Sequence, residues 1–378
     1  MQNKKKVAIL TIHNVDNYGA VLQTFSIFNY IKLNSDPIII NFKNPMFEPS
    51  LKLIRYSGLS SFKSCVKDIL RIKSRYVFVK KFNEFIKQNL KLTHRVSREK
   101  LNSPNFLNNF DILLVGSDQV WNPNITNLEK KLNSDYFFNS NTLKEIRRIS
   151  YASSFGGKNF SSDELEKINF YLNSFYKISV REKNTISYFN HENKKKADHV
   201  LDPVFLTDKK SWQQLSQYSN NYYDIENIKY ILVYSVVRSN LIKKITNKLK
   251  KITNLKIITI DPNLVANTSY YKKIANAGPI DFLKLFDNAS YIVTDSFHGT
   301  SFSLIFDKIF FSVVSEKVYA NRITDLLKNI GCEKNIITDT STIEKLEEIK
   351  SYSISEHSKN ELNKLILKSK KFLNDSII

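Results

Sequence analysis

Tyr291-Ile292-Val293-Thr294-Asp295-Ser296-Phe297-His298-Gly299-Thr300, running on through Ser301-Phe302-Ser303-Leu304-Ile305-Phe306, decides the fold class. An apolar strand ends in a polar turn with one histidine, and a helix begins at once. Such a turn lies at the mouth of a βα crossover, the edge at which open α/β sheets bind ligands. The first turn of a helix carries N–H groups without intrahelical acceptors and the positive end of the helix dipole, and both favour an anion. The stretch predicts an α/β protein that handles an anionic small molecule. His298 is the first candidate for proton transfer, because imidazole titrates near neutrality.

The same pattern recurs on either side. Val7–Ile12 reads as a first strand, followed by Asn17 as N-cap of a helix with Val21, Leu22, Phe25 and Phe28 on one face. Further strands are expected at Pro37–Phe42, Asp111–Val115, Arg148–Ala152 and Tyr176–Val180, and a second set at Tyr230–Val236, Lys256–Ile260, Tyr291–Thr294 and Ile309–Val314. Strands alternating with helices imply doubly wound, mostly parallel sheets. The expected architecture is two Rossmann-like α/β domains with a cleft between them. Residues 1–205 form the first, with a basic helical insertion at about 45–105. Residues 206–345 form the second, and 346–378 a helical tail. Several expected strand ends carry polar residues: Asn17, Asp118, Ser153, Arg181 and His298.

Composition narrows the class. A chain of 378 residues suits two domains, and 42% hydrophobic residues supply ordinary cores. No apolar run is long enough to span a bilayer. The start, Lys4-Lys5-Lys6 before Val7–Ile12, has the basic beginning of a signal peptide, but its apolar part is too short and is read as a strand. Cys65 and Cys332 are the only cysteines, so no disulfide framework is implied and a reducing cytoplasm fits. The histidines show no metal-ligand spacing, and neither a metal nor another cofactor is expected.

The net charge of +21 is concentrated: residues 51–100 hold 14 Lys or Arg against three acids, an excess of 11. Apolar residues interleave with these cations. The ordinary reading is a solvated helical face with a buried apolar side. The alternative is peripheral contact with an anionic membrane surface. Nucleic acid is not expected as a partner, since no nucleic-acid-binding motif accompanies the charge.

Seven motifs then resemble, in order, those of the polysaccharide pyruvyl transferase family. They are Asn17-Tyr18-Gly19-Ala20-Val21-Leu22-Gln23, Gly116-Ser117-Asp118-Gln119-Val120-Trp121-Asn122, Ser150-Tyr151-Ala152-Ser153-Ser154-Phe155-Gly156, Val180-Arg181-Glu182, Leu201-Asp202-Pro203-Val204, Thr294-Asp295-Ser296-Phe297-His298-Gly299-Thr300 and Asn321-Arg322-Ile323. The resemblance implies a fold like that of GT-B glycosyltransferases. It also implies transfer of a pyruvyl group from phosphoenolpyruvate to sugar hydroxyls, as a cyclic ketal, on a capsule, exopolysaccharide or other surface glycan. The acceptor would be a sugar of a lipid-linked precursor at the inner membrane face.

The resemblance also suggests roles. His298, Asp118 and Asp295 are candidates for proton transfer. Arg181, Ser296, Gly299, Thr300 and Arg322 are candidates for holding the donor's phosphate and carboxylate. Asn17, Tyr18, Gly19, Gln119 and Trp121 are candidates for the acceptor sugar. Each has a plainer role as cap, ion pair, turn residue or packing. One position departs from the commoner family pattern: many members carry an arginine two residues before the histidine, where this chain has Ser296. Arg322, Arg181 or a lysine takes its place, or the donor anion differs. A glycosyltransferase using a nucleotide sugar, and a non-catalytic sugar- or anion-binding protein, are the alternatives on the same scaffold.

Overall fold

The computed structural model describes residues 4–55, 62–138, 146–189, 196–219, 223, 225, 227–261, 271–314, 317–339 and 345–377; for 62–64, 67, 317–321 and 345–347 the backbone alone is described. The elements begin with β1 (Lys6–Leu10), α1 (Tyr18–Lys32), β2 (Asp36–Ile39), α2 (Phe62–Leu70), α3 (Ile72–Asn89), β3 (Ile112–Val115) and β4 (Arg147–Ser150). Next come α4 (Ser162–Leu172), β5 (Ile178–Val180), β6 (Ala197–His199), α5 (Lys209–Ser216), β7 (Tyr230–Tyr234), α6 (Asn240–Thr253), β8 (Lys256–Ile260) and β9 (Lys272–Ile274). The chain closes with α7 (Pro279–Asn288), β10 (Tyr291–Thr294), α8 (Phe297–Ile305), β11 (Ile309–Val313), α9 (Lys317–Asn329), β12 (Ile336–Ile337) and α10 (Glu356–Ile377).

The chain divides into two compact units. One comprises Met1–Ser50, Ile86–Leu206 and Lys364–Ile378; the other comprises Leu51–Phe85 and Thr207–Asn363. In the first unit the parallel order β2-β1-β3-β4 sets Ile9 beside both Ile39 and Leu114. The parallel pair β5-β6 continues this surface through bridges from Ile149 to Lys177 and from Ser153 to Val180. In the second unit six parallel strands run β12-β11-β10-β7-β8-β9, with Val293 beside Val233 and Phe311. Every residue of Ile112–Val115 and Tyr230–Tyr234 is buried. Strands covered on both faces have to be apolar throughout, which is why these runs do not alternate.

Each unit has its own core. Leu10, Leu113, Val115, Phe137 and Phe175 belong to the first, and Ile231, Val233, Leu249, Val293 and Phe311 to the second. Below α8, Phe302 lies edge-on to Trp212 and Phe282, with centroids at 5.3 and 5.6 Å, and this fixes the helix that carries His298.

Two expected boundaries move. Residues 51–85 were assigned to the first domain, but they pack with the second unit. Lys81 reaches across 200 positions of sequence to Asp281, at 2.7 Å, and its ammonium also donates to the Tyr223 hydroxyl and the Asn276 carbonyl, each at 3.0 Å. At the other end the expected tail is α10, and from Lys364 onward it belongs to the first unit. There Ser369 accepts the Leu201 N–H at 2.9 Å and Leu373 is fully buried.

Removing the Lys81 cation leaves the Asp281 carboxylate buried with its charge uncompensated. Lys81→Ala is expected to cost about 3 kcal/mol in urea unfolding. Lys80→Ala, at an exposed pair with Glu84 3.8 Å away, is expected to cost less than about 1 kcal/mol. Equal effects would mean that Lys81 does not pin the basic helix.

Candidate active site

The second unit brings together the turn after β10. The Thr294 hydroxyl donates to the Tyr234 carbonyl at 2.7 Å and accepts the Ser296 N–H at 3.1 Å, so the chain bends at the end of the strand. Ser296 has extended backbone and caps α8, its Oγ accepting the Gly299 N–H at 3.3 Å. His298 follows as the second residue of the helix and is 8% exposed. Its ring meets the Phe297 ring edge-on, with centroids at 5.3 Å. Arg322, on α9, places its guanidinium 6.0 Å from the centroid of the same Phe297 ring, a cation–π arrangement. An imidazole, a guanidinium and a helix N-terminus therefore converge on one turn.

Three neighbours have structural tasks here. Thr300 is fully buried and its hydroxyl is bonded to Ser312 Oγ at 2.7 Å, so its side chain packs α8 against β11 and is not offered to a donor. At Gly299 a Cβ would lie 2.2 Å from Thr294 Oγ1, so this position must be glycine for the helix to start directly on the strand end. Asp295 was expected as a candidate base. Its carboxylate instead accepts the Ser235 hydroxyl at 2.5 Å and the N–H groups of Val236, Val237 and Arg238 at 2.6, 3.1 and 3.2 Å. It holds the loop after β7, its oxygens occupied by these four donors.

The first unit gathers a different set. Asn17 is exposed and caps α1, accepting the Ala20 N–H at 3.2 Å, while Tyr18 and Gly19 are buried in the first turn. Gln23 is completely buried. Its amide donates to Thr11 Oγ1 at 3.0 Å and to the Ile12 carbonyl at 3.3 Å, bracing the segment that follows β1. Asp118 has left-handed backbone, φ 72°, and its Oδ1 accepts the Gln119 N–H at 2.8 Å. Both Asp118 and Gln119 are partly exposed at the carboxyl end of β3, and the Gln119 Oε1 accepts the Asn122 amide at 2.7 Å.

Two expectations are corrected in this unit. The Arg181 side chain is 2% exposed and lies among carboxylates, with Asp202 at 3.0 Å, Glu182 at 3.3 Å and Asp118 at 3.8 Å. Burial alone would lower its pKa, but Glu182, Asp202 and Asp118 outweigh that and raise it. It is the hub of an internal ion network, not an open clamp for a donor anion. Trp121 is 1% exposed, stacks on Phe137 at 5.2 Å and donates its indole N–H to the Tyr136 carbonyl at 3.0 Å. Its faces are covered by core, so it offers no platform to a sugar.

With this geometry in place, comparison with known proteins gives the class and then the family. The chain is similar to UDP-GlcNAc 2-epimerases of solved structure. That of Neisseria meningitidis, bound to UDP-GlcNAc, is 11% identical with a TM-score of 0.55 over 98% of this chain and 100% of that one. That of Rickettsia bellii is 13% identical with a TM-score of 0.53 over 98% and 96%. That of Methanocaldococcus jannaschii, in complex with UDP-GlcNAc and UDP, is 15% identical with a TM-score of 0.51 over 96% and 99%. At these identities the likeness shows the fold, a GT-B-like pair of Rossmann-like units. The sequence profile of the polysaccharide pyruvyl transferase family matches residues 17–316, and the chain belongs to that family of enzymes. No significant match is found among curated proteins.

Gly299→Ala forces a methyl group against Thr294, whose hydroxyl is itself tied to β7. It is expected to destabilise the protein by about 2 kcal/mol in chemical denaturation. An unchanged midpoint would mean that Gly299 is there for ligand approach and not for packing.

Proposed function

We propose that this enzyme transfers the pyruvyl group of phosphoenolpyruvate to two hydroxyls of a sugar in surface-polysaccharide synthesis. The observation that carries the reading is the cluster of His298, Phe297 and Arg322 at the start of α8. Phosphoenolpyruvate brings a phosphate and a carboxylate, which call for a fixed cation and oriented N–H groups. Arg322, steadied over Phe297, supplies the cation that the motif lacks at Ser296. The first turn of α8 receives the phosphate. His298 gives a proton to the methylene carbon, which leaves the middle carbon open to attack by a hydroxyl; phosphate departs and a second hydroxyl closes the ketal. Asn17, Tyr18, Gly19, Gln119 and Asp118 are assigned to the acceptor.

Calorimetry with phosphoenolpyruvate tests the donor. Arg322→Ala is expected to weaken binding about 10- to 100-fold, the worth of a charge-assisted hydrogen bond. His298→Gln is expected to keep binding but to lower pyruvyl transfer about 10²- to 10⁴-fold. Saturable binding of a nucleotide sugar in place of phosphoenolpyruvate would replace this reading with glycosyl transfer.

We further propose that the enzyme works at an anionic membrane surface. No helix among the described residues is long and apolar enough to cross a membrane. Yet Ile54, Val66, Ile69, Leu70, Ile72 and Tyr76 are all exposed, Leu70 by 69% and Ile69 by 57%. Val66, Ile69 and Leu70 share one helical face, as do Ile72 and Tyr76. Residues 51–80 carry eight cations and a single acid, Asp68. That acid is buried between Arg55 and Arg71, at 3.0 and 2.7 Å; burial would raise its pKa, but these two partners hold it at about 2. Of the described cations here Lys52, Lys73 and Lys80 are exposed, whereas Arg71 and Arg75 are buried. Exposed apolar side chains and cations in one stretch suit anionic lipid, each cation near the surface contributing about 1 kcal/mol. In flotation at low salt the protein is expected to rise with phosphatidylglycerol vesicles and not with phosphatidylcholine. Ile69→Ser with Leu70→Ser is expected to stay at the bottom while still binding phosphoenolpyruvate. Wild-type protein that fails to float would refute the membrane role alone.

A further inference from the structure

His13, which none of the family motifs includes, is the other buried imidazole at a sheet's carboxyl edge. It stands three residues past the end of β1 and is 4% exposed. Its Nδ1 lies 3.1 Å from the Thr11 carbonyl oxygen. A carbonyl only accepts, so Nδ1 carries the proton and Nε2 presents a lone pair. No hydrogen bond to Nε2 is found among the described residues, and the Asn41 side chain is close enough to favour the ring's protonated form.

The ring borders a recess just past the ends of β1 and β2, with a cavity of about 20 Å³. That volume takes one water molecule or one hydroxyl group. Asn41, Asn44, Tyr136, Glu48 and Arg95 line it with His13. The Asn44 amide is spent on the Thr126 carbonyl and the Tyr136 oxygen, at 3.0 and 3.3 Å. The Tyr136 oxygen accepts there and keeps its own proton to donate. Glu48 and Arg95 pair with each other. Lys43, exposed, is a further charge on the lining, and the recess otherwise offers neutral amide, phenol and imidazole groups, a chemistry that suits a polyhydroxyl ligand.

We propose that this recess is a hydroxyl subsite for the acceptor saccharide, and that His13 Nε2 takes the proton of the hydroxyl it holds. The inference rests on the pyruvyl-transfer reading. Ketal formation frees two hydroxyl protons: one is balanced by the proton that turns the methylene into a methyl group, and the other leaves with phosphate. In the step assigned here the O–H bond breaks, its electron pair forms the bond to the middle carbon, and the proton passes to Nε2. Burial lowers the His13 pKa, and the Thr11 carbonyl and Asn41 push it back by less, which favours the neutral ring. The other titratable groups facing the recess are Glu48, Arg95, Lys43 and Tyr136. Burial pushes the Tyr136 phenol well above its ordinary value.

The test uses the full chain and methyl glycosides of common hexoses and N-acetylhexosamines. Imidazole NMR resonances of wild-type protein are followed during titration, alongside transfer kinetics for His13→Gln. One glycoside is expected to shift the His13 resonances saturably. His13→Gln is expected to bind that glycoside within a few-fold of wild type and to lose kcat about 10²- to 10⁴-fold. Wild-type activity is expected to fall on acidification, starting only below the ordinary imidazole value because burial lowers the His13 pKa, a limb that the variant loses. Glycosides that leave His13 unmoved, or a variant with unchanged kcat and pH profile, would reduce the recess to a buried water site. If the variant does not fold, the wild-type titration decides alone. Phosphoenolpyruvate binding measured in parallel separates the two readings: its absence removes the transfer reaction, and its presence with an unmoved His13 removes only this inference.

Discussion

Four hydrogen bonds converge on the Asp295 carboxylate from Ser235, Val236, Val237 and Arg238. They join the ends of β7 and β10, neighbours in the sheet but separated by about sixty residues of chain. Without this clasp the loop after β7 would carry three backbone N–H groups in search of acceptors, and the turn that presents His298 would lose its lateral support. The position where the family pattern invites a catalytic base is therefore occupied by a residue that builds the turn. Thr294, Ser296 and Gly299 complete the same task from below, as strand anchor, helix cap and close-packing point.

Much of the fold was legible because buried parallel strands are written in unbroken apolar runs. Lys256–Ile260 and Tyr291–Thr294 were read to the residue. The strands that escaped are β6, β9 and β12, of two or three residues each. β9 is Lys272-Lys273-Ile274 at the sheet edge, where lysine discourages further pairing and hides the strand signal together. The domain boundaries escaped for another reason. Hydrophobic periodicity is local, whereas the Lys81–Asp281 pair that assigns residues 51–85 to the second unit acts across 200 positions.

The site was legible as a set of turns and less so as a set of roles. Sequence shows that Arg181, Asp295 and Trp121 are polar or aromatic residues near strand ends. It does not show how many partners each already has. Arg181 meets three carboxylates, Asp295 four donors, and Trp121 a packed aromatic shell. A side chain whose hydrogen-bonding capacity is consumed internally shapes a site without reacting in it. His13 is the converse: it lies in a stretch that reads as an ordinary loop, and only the fold reveals a buried ring against a hydroxyl-sized cavity. The signal that was available was its place at the carboxyl end of the first strand.

The missing arginine trades a charge for a helix cap. An arginine two residues before His298 would have stood at the N-cap of α8, where Ser296 now accepts the Gly299 N–H. Guanidinium has no acceptor to offer, so an arginine there leaves the cap to be supplied otherwise. Serine at that position restores the cap and tightens the turn, at the cost of the cation. Arg322, on a different helix, has its guanidinium 6.0 Å from the Phe297 ring centroid, and it is the cation proposed to meet the donor. Arg181 is committed instead to three neighbouring carboxylates, those of Asp118, Glu182 and Asp202.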